Sequence, residues 1–212
     1  MKLNIPTKIT IVRIAGVVAL LGFYLAAYIA GPNSWASTTI GNNIYVVNLV
    51  GCIVFILAAA TDYLDGHLAR KWNQVTDLGK FLDPIADKML VNSSLVILAV
   101  AMPFYAGNQL LIPWFCVVLM ILRDLVVDTM RFVAASKGEV VAANIFGKMK
   151  TVFQMIALPL VFLNGFPFSY FDAGWHPLLR IATFFVYLAT AMSVISGVIY
   201  VYQNRHVLKE KK

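Results

Sequence analysis

Six apolar runs, at residues 9–30, 44–60, 84–102, 110–135, 152–166 and 178–202, leave few folds open to this chain. A helix needs roughly 20 mostly apolar residues to cross the hydrocarbon core of a bilayer, and there it must satisfy its backbone hydrogen bonds internally. The runs are continuous and do not alternate, so they predict helices and not barrel strands. Composition agrees: 60% of the 212 residues are hydrophobic and 13% charged, beyond the apolar share of a soluble domain. The reading is an all-α integral membrane protein with six transmembrane helices, one transmembrane domain over residues 1–212, with no length left for a separate soluble catalytic domain. The fifth run is short and holds Pro159, and Gly147 reads as a break that sets the helix start near Lys148. The first run has no small-residue cleavage site leading into a soluble region, so it reads as a retained helix and not a signal peptide.

Charge placement sets the orientation. With six spans both termini lie on one side, and of the 17 Lys and Arg only Arg180 falls on the other. The connections 31–43, 103–109 and 165–177 contain no Lys or Arg, so the positive-inside rule puts both termini in the cytoplasm, in the cytoplasmic (inner) membrane of a cell. A formal charge of +7 would hint at nucleic acid in a soluble protein; here it reads as topology, and no nucleic-acid partner is expected. Cys52 and Cys116 each sit in an apolar run, far from metal-ligand spacing or a disulfide framework. The acids also gather on the cytoplasmic side, with only Asp172 outside. The positive-inside rule is nearly indifferent to acids, so some other demand collects them.

That demand lies in the segment DYLDGHLARKWNQVTDLGKFLDPIADK, residues 62–88. If the second span continues as helix past Ala60, Asp62 and Asp65 share a face at i and i+3, followed by Gly66, Ala69 and Arg70. Beyond a short turn, Gly79, Asp83 and Asp87 stack at i, i+4 and i+8 on the third span. Four carboxylates gathered at the lip of a low-dielectric slab would take up protons unless hard divalent cations neutralised them. Asp62, Asp65, Asp83 and Asp87 therefore read as a magnesium or manganese site, with Gly66 and Gly79 allowing backbone or phosphate to come close. The competing reading is a structural ion-pair network with Arg70, Lys80 and Lys88; acids within a membrane mark function by default. Asp77 reads as a helix-end acid and Lys88 as a snorkelling lysine.

The pattern Asp62-x2-Asp65-Gly66-x2-Ala69-Arg70-x8-Gly79-x3-Asp83-x3-Asp87 resembles, position for position, the signature of the CDP-alcohol phosphatidyltransferases. The resemblance implies a six-helix fold with cytoplasmic termini and an active site facing the cytoplasm. It implies transfer of a phosphatidyl group from CDP-diacylglycerol to an alcohol, with release of CMP. It implies a two-metal centre on Asp62, Asp65 and Asp83, with Asp87 completing the cluster and acting as general base. Gly66, Ala69, Arg70 and Gly79 would contact CDP-diacylglycerol, as would Asp62 and Asp65, and a homodimer would be the working form.

The acceptor is read from the fourth and fifth spans. Arg123, Asp124, Val127, Asp128 and Arg131 lie at helical spacing in LRDLVVDTMRF, and GKMKT adds Lys148 and Lys150. Arginine at the lip of a span is costly, and a set of Arg123, Arg131, Lys148 and Lys150 suits a phosphate monoester, which arginine forks hold in a bidentate grip. An acceptor that is itself phosphorylated points to glycerol 3-phosphate. The strings FLDPIADKML, GKMKT and NIPTKITIVR are similar to those of family members that use this acceptor. By that resemblance Thr10 and Arg13 are substrate contacts on the nucleotide side, while Thr7 and Asp124 stand where those members more often carry Asn and Glu. Whether Asp124 orients Arg123 is open at this level. Lys137, Lys209, Lys211 and Lys212 read as topology and lipid contact, and Trp72, Trp114 and Trp175 as interfacial belt residues. The alternatives are a sibling enzyme using inositol phosphate or phosphatidylglycerol, and a cation or proton transporter. A transporter would place its acids near the midplane in broken helices.

Overall fold

The computed structural model describes residues 4–41, 43–71, 77–105, 109–139, 144–172 and 174–208, with side chains described outside 6, 63–71, 77, 80 and 207–208. Among the described residues seven α-helices follow in chain order: α1 (Ile5–Ala30), α2 (Val46–Lys71), α3 (Asp77–Ala99), α4 (Trp114–Ser136), α5 (Ile145–Phe162), α6 (Ser169–Asp172) and α7 (Ile181–Gln203). A two-stranded antiparallel ribbon, β1 (Thr39–Ile40) with β2 (Ile44–Tyr45), pairs Thr39 with Tyr45 and Ile40 with Ile44. Its turn uses Gly41 and Asn43 at φ 56° and 55°, the left-handed region these residues tolerate best.

Among the described residues three helical stretches are both long and apolar enough to cross a membrane: Thr7–Ala30, Ile145–Phe162 and Ile181–Gln203. The apolar part of α2, Val46–Asp62, is shorter. The sequence α3 carries Asp77, Lys80, Asp83, Asp87 and Lys88, and α4 carries Arg123, Asp124, Asp128 and Arg131. The chain is thus a helical membrane protein in which the charged chemistry is built into helices and not loops.

The chain divides into two compact units, one formed by residues 1–111 with 162–166 and the other by 112–161 with 167–212. In the first, α1 packs against both α2 and α3. Val17, Leu20, Tyr24 and Ala27 form its buried stripe, while Val12 and Ile29 on other faces are 69% and 76% exposed. Apolar side chains left outward at this scale fit a lipid surround. A Cβ on Gly51 would lie 2.5 Å from the Tyr24 hydroxyl and 2.8 Å from a Phe162 ring carbon, so only glycine permits this approach of α1 to α2. Near the start of α2, buried Asn48 accepts hydrogen bonds from the Tyr24 and Tyr105 hydroxyls at 3.1 and 3.0 Å. Burial pushes the Tyr105 phenol up to about 12.

In the second unit α4 packs along α7. The inward face of α7 is mostly small and hydroxylated, with Ala182, Thr183, Ala189, Thr190, Ser193, Ser196 and Gly197 buried beside Val186 and Tyr200. Its outward residues include Phe184, Val198 and Tyr202. That inversion of the soluble pattern is how membrane helices approach one another closely. Asp172, fully buried, accepts a hydrogen bond from the Ile181 backbone amide at 2.8 Å and so caps α7.

Both ends of α5 differ from the sequence expectation. Helix α5 begins at Ile145 and runs through Gly147. The Asn144 side-chain oxygen accepts from the Gly147 amide at 2.7 Å, so the capping residue is Asn144 and Gly147 is a helical position chosen for space. Helix α5 also ends at Phe162, where the reversal uses Asn164 and Gly165 at φ 52° and 84°.

Candidate active site

The second and third apolar runs end at Ala60 and begin at Pro84, yet α2 continues to Lys71 and α3 starts at Asp77. Asp62, Asp65, Gly66, Ala69 and Arg70 therefore lie on one continuous helix, and Gly79, Asp83 and Asp87 on the next. The side chains of Asp65, Ala69 and Arg70 and the connection 72–76 lie outside the described residues. Asp83 and Asp87 are half-buried one turn apart on α3.

Helix α1 draws the two helices together. Thr10 Oγ1 donates to Asp83 Oδ1 at 2.8 Å, and the Arg13 guanidinium donates to Asp62 Oδ1. Thr10 and Arg13 are three residues apart and share a face of α1, so carboxylates from the end of α2 and the start of α3 converge on neighbouring turns of one helix. Both α1 residues are buried, at 1% and 4% exposure, whereas the Asp62 side chain is 45% exposed. An inward cation and an outward carboxylate give a cluster anchored on one side and open on the other. Among the described residues no three His, Cys, Asp or Glu side chains form a metal-ligating group. The motif carboxylates whose side chains are described, Asp62, Asp83 and Asp87, offer the hard oxygen ligands that magnesium and manganese take. The sequence reading assigned Thr10 and Arg13 to substrate; each also holds a motif carboxylate, a role that spacing within α1 alone cannot reveal. Thr7 is buried on the same helix.

The basic set of the second unit is only partly assembled. Buried Lys150 donates to both oxygens of Asp124 at 2.7 Å, and Arg123 Nη1 donates to Asp124 Oδ1 at 3.0 Å. The Arg123 guanidinium also donates to Ser196 Oγ on α7. Asn144 adds a hydrogen bond from its amide to the Ser196 carbonyl at 2.9 Å. Asp124 thus orients Arg123 and Lys150 together. Arg131 lies apart from this network, exposed, with its guanidinium 5.6 Å from the centre of the Tyr200 ring. Lys148 is exposed in the first turns of α5. Asn144 and Ser196 were missed in the sequence. Their only signal was a polar residue just before GKMKT and the run of small hydroxylated positions along the last span.

Comparison with known proteins closes the assignment. The family profile of the CDP-alcohol phosphatidyltransferases matches residues 3–199. The CDP-diacylglycerol–glycerol-3-phosphate 3-phosphatidyltransferase of Bacillus subtilis is 40% identical over 208 residues, covering 97% of each chain. The Mycoplasma pneumoniae protein of the same name is 36% identical, covering 98% of this chain and 90% of its own. An Arabidopsis thaliana protein of that name, numbered 2, is 32% identical, covering 99% and 83%. With its acid motif carried on two helices that α1 ties together, and with a match along nearly its whole length, the chain belongs to the CDP-alcohol phosphatidyltransferase family.

Proposed function

We propose that this protein transfers the phosphatidyl group of CDP-diacylglycerol to sn-glycerol 3-phosphate, giving phosphatidylglycerophosphate and CMP in phospholipid biosynthesis. The observation that carries the reading is the convergence of Asp62 and Asp83 on adjacent turns of α1. The names of the full-length relatives support the acceptor.

In this reading Asp62, Asp65, Asp83 and Asp87 hold two divalent cations, which when bound neutralise charge on the diphosphate and on the departing CMP. Arg13 and Thr10 fix the carboxylates of Asp62 and Asp83, and with Gly66, Ala69, Arg70 and Gly79 they serve the CDP-diacylglycerol side. Arg123, Arg131 and Lys148 hold the acceptor phosphate, and Lys150 keeps Asp124 and Arg123 in place. Asp87 takes the proton from the acceptor hydroxyl. The hydroxyl oxygen forms a bond to the phosphatidyl phosphorus as the bond to CMP breaks, in one displacement.

Residues 1–212 act as a single catalytic domain with six membrane helices, both termini and the active site on the cytoplasmic side of the cytoplasmic membrane, and a homodimer as the working form. The test is an acceptor panel: purified protein with CDP-diacylglycerol and, separately, glycerol 3-phosphate, glycerol, inositol 1-phosphate and phosphatidylglycerol. CMP release with glycerol 3-phosphate alone is expected. Release with inositol 1-phosphate or phosphatidylglycerol in its place would reassign the acceptor, and ion flux without CMP release would reassign the class.

A further inference from the structure

Two glycines leave room for the Arg123 side chain. A Cβ on Gly197 of α7 would lie 2.8 Å from Arg123 Cγ, with Cβ and Cδ of the same side chain at 3.8 and 3.9 Å. A Cβ on Gly147 of α5 would lie 3.3 Å from Arg123 Nη2, 3.1 Å from Asn144 Oδ1 and 3.5 Å from Ser196 Oγ. Carbon atoms in contact prefer roughly 3.5–4.0 Å, so the first contact is closed to any residue but glycine unless Arg123 moves. The atom met is Cγ, near the root of the side chain. A shift there swings the whole guanidinium, which the flexible tip cannot absorb. At its far end the guanidinium is held by Asp124 and Ser196, and Asn144 joins the start of α5 to the Ser196 carbonyl.

We infer that Gly197, with Gly147, forms a slot that fixes the reach of Arg123, and that the absence of a side chain at position 197 is a specificity-determining feature for the phosphorylated acceptor. This rests on the reading of Arg123 as an acceptor-phosphate ligand. The glycine acts through Arg123 and is a positioning residue. Helix propensity argues the same way: glycine inside a helix costs about 1 kcal/mol relative to alanine, and Gly197 is interior to α7 and buried. Its retention there therefore needs a spatial reason, which Arg123 supplies.

The test is a double-mutant cycle on the full-length protein in detergent, comparing wild type, Gly197→Ala, Arg123→Ala and the double variant. KM for glycerol 3-phosphate, KM for CDP-diacylglycerol and Tm are measured for each. Gly22→Ala, where an added Cβ meets nothing within 4 Å, is the control for introducing alanine into a membrane helix. Gly197→Ala is expected to raise the acceptor KM about tenfold or more, with the CDP-diacylglycerol KM within twofold. In the Arg123→Ala background, where no Cγ remains to be struck, the same change is expected to leave both KM values unchanged and to hold Tm level or raise it slightly, as alanine's helix propensity requires. An acceptor KM within twofold of wild type in Gly197→Ala overturns the inference, as does an equal loss in both backgrounds. If Gly197→Ala does not fold, Tm of the double variant decides: recovery to the Arg123→Ala value supports the slot, and no recovery refutes it. Failure of the underlying reading is separate, because Arg123→Ala itself would then leave the acceptor KM unchanged.

Discussion

Replacing Asp124 by asparagine removes one negative charge and little volume, and the structure fixes what should follow. The Asp124 side chain is 12% exposed, Lys150 7% and Arg123 15%, so the three sit where water screens them weakly. Lys150 spends contacts of 2.7 Å on both carboxylate oxygens, and an amide offers only one acceptor in their place. Arg123 and Lys150 then lose the carboxylate that they share. Breaking a buried pair by removing one partner costs about 3–5 kcal/mol. The amide keeps one hydrogen bond, so about 3 kcal/mol is expected. For a chain of this length that corresponds to a fall of about 6–12 °C in Tm, using the scaling of soluble domains. The assay is thermal unfolding in detergent, run beside KM for glycerol 3-phosphate, which should rise because Arg123 loses its anchor. Adding Lys150→Met removes one of the two cations that shared the carboxylate and should restore much of the lost stability. A loss under about 1 kcal/mol, or a double variant no more stable than the single one, would refute the claim that Asp124 neutralises Lys150.

Three further outcomes are expected. Asp62→Asn and Asp83→Asn should each abolish CMP release, and chelation with EDTA should do so reversibly on adding magnesium; full turnover in excess EDTA would remove the metal from the account. Arg131→Ala should raise KM for glycerol 3-phosphate by roughly 10–100-fold, the range of a lost charged hydrogen bond, with little change for CDP-diacylglycerol; equal effects on both would take Arg131 out of the acceptor site. Cysteine labelling should reach Thr38→Cys and Trp175→Cys from outside intact cells and Ser136→Cys only after permeabilisation, against a low background because Cys52 and Cys116 are buried. Labelling of Ser136→Cys from outside would reverse the orientation.

The acid motif was legible because helical spacing alone places its members: α2 runs on to Lys71 and α3 begins at Asp77, as the i, i+3 and i, i+4 registers require. Hydropathy could not show those extensions, since it ends where polar residues begin. What sequence could not supply is which helix meets which. Arg13 and Thr10 are seen as carboxylate partners only when α1 lies against both α2 and α3. Gly147 looked like a helix break because glycine usually marks one, but here its lack of a side chain serves packing beside Arg123. Nothing in the apolar run around Ser196 marks it out, yet its hydroxyl accepts from Arg123. The short ribbon at β1 and β2 escaped notice because two residues per strand leave no periodicity to read. That Asp172 is buried and accepts from the Ile181 amide at the start of α7 was not legible, because its partner lies nine residues on.

The most direct test of direct transfer to glycerol 3-phosphate is the stoichiometry of CMP release against labelled lipid formed. Purified protein is mixed with CDP-diacylglycerol, magnesium and radiolabelled glycerol 3-phosphate, and a parallel sample with labelled CMP but no acceptor. The account predicts one CMP released per labelled lipid, and no exchange of CMP into CDP-diacylglycerol when acceptor is absent, because Asp87 serves as base and no residue carries the phosphatidyl group. CMP exchange without acceptor, or CMP release with no label in lipid, would contradict it.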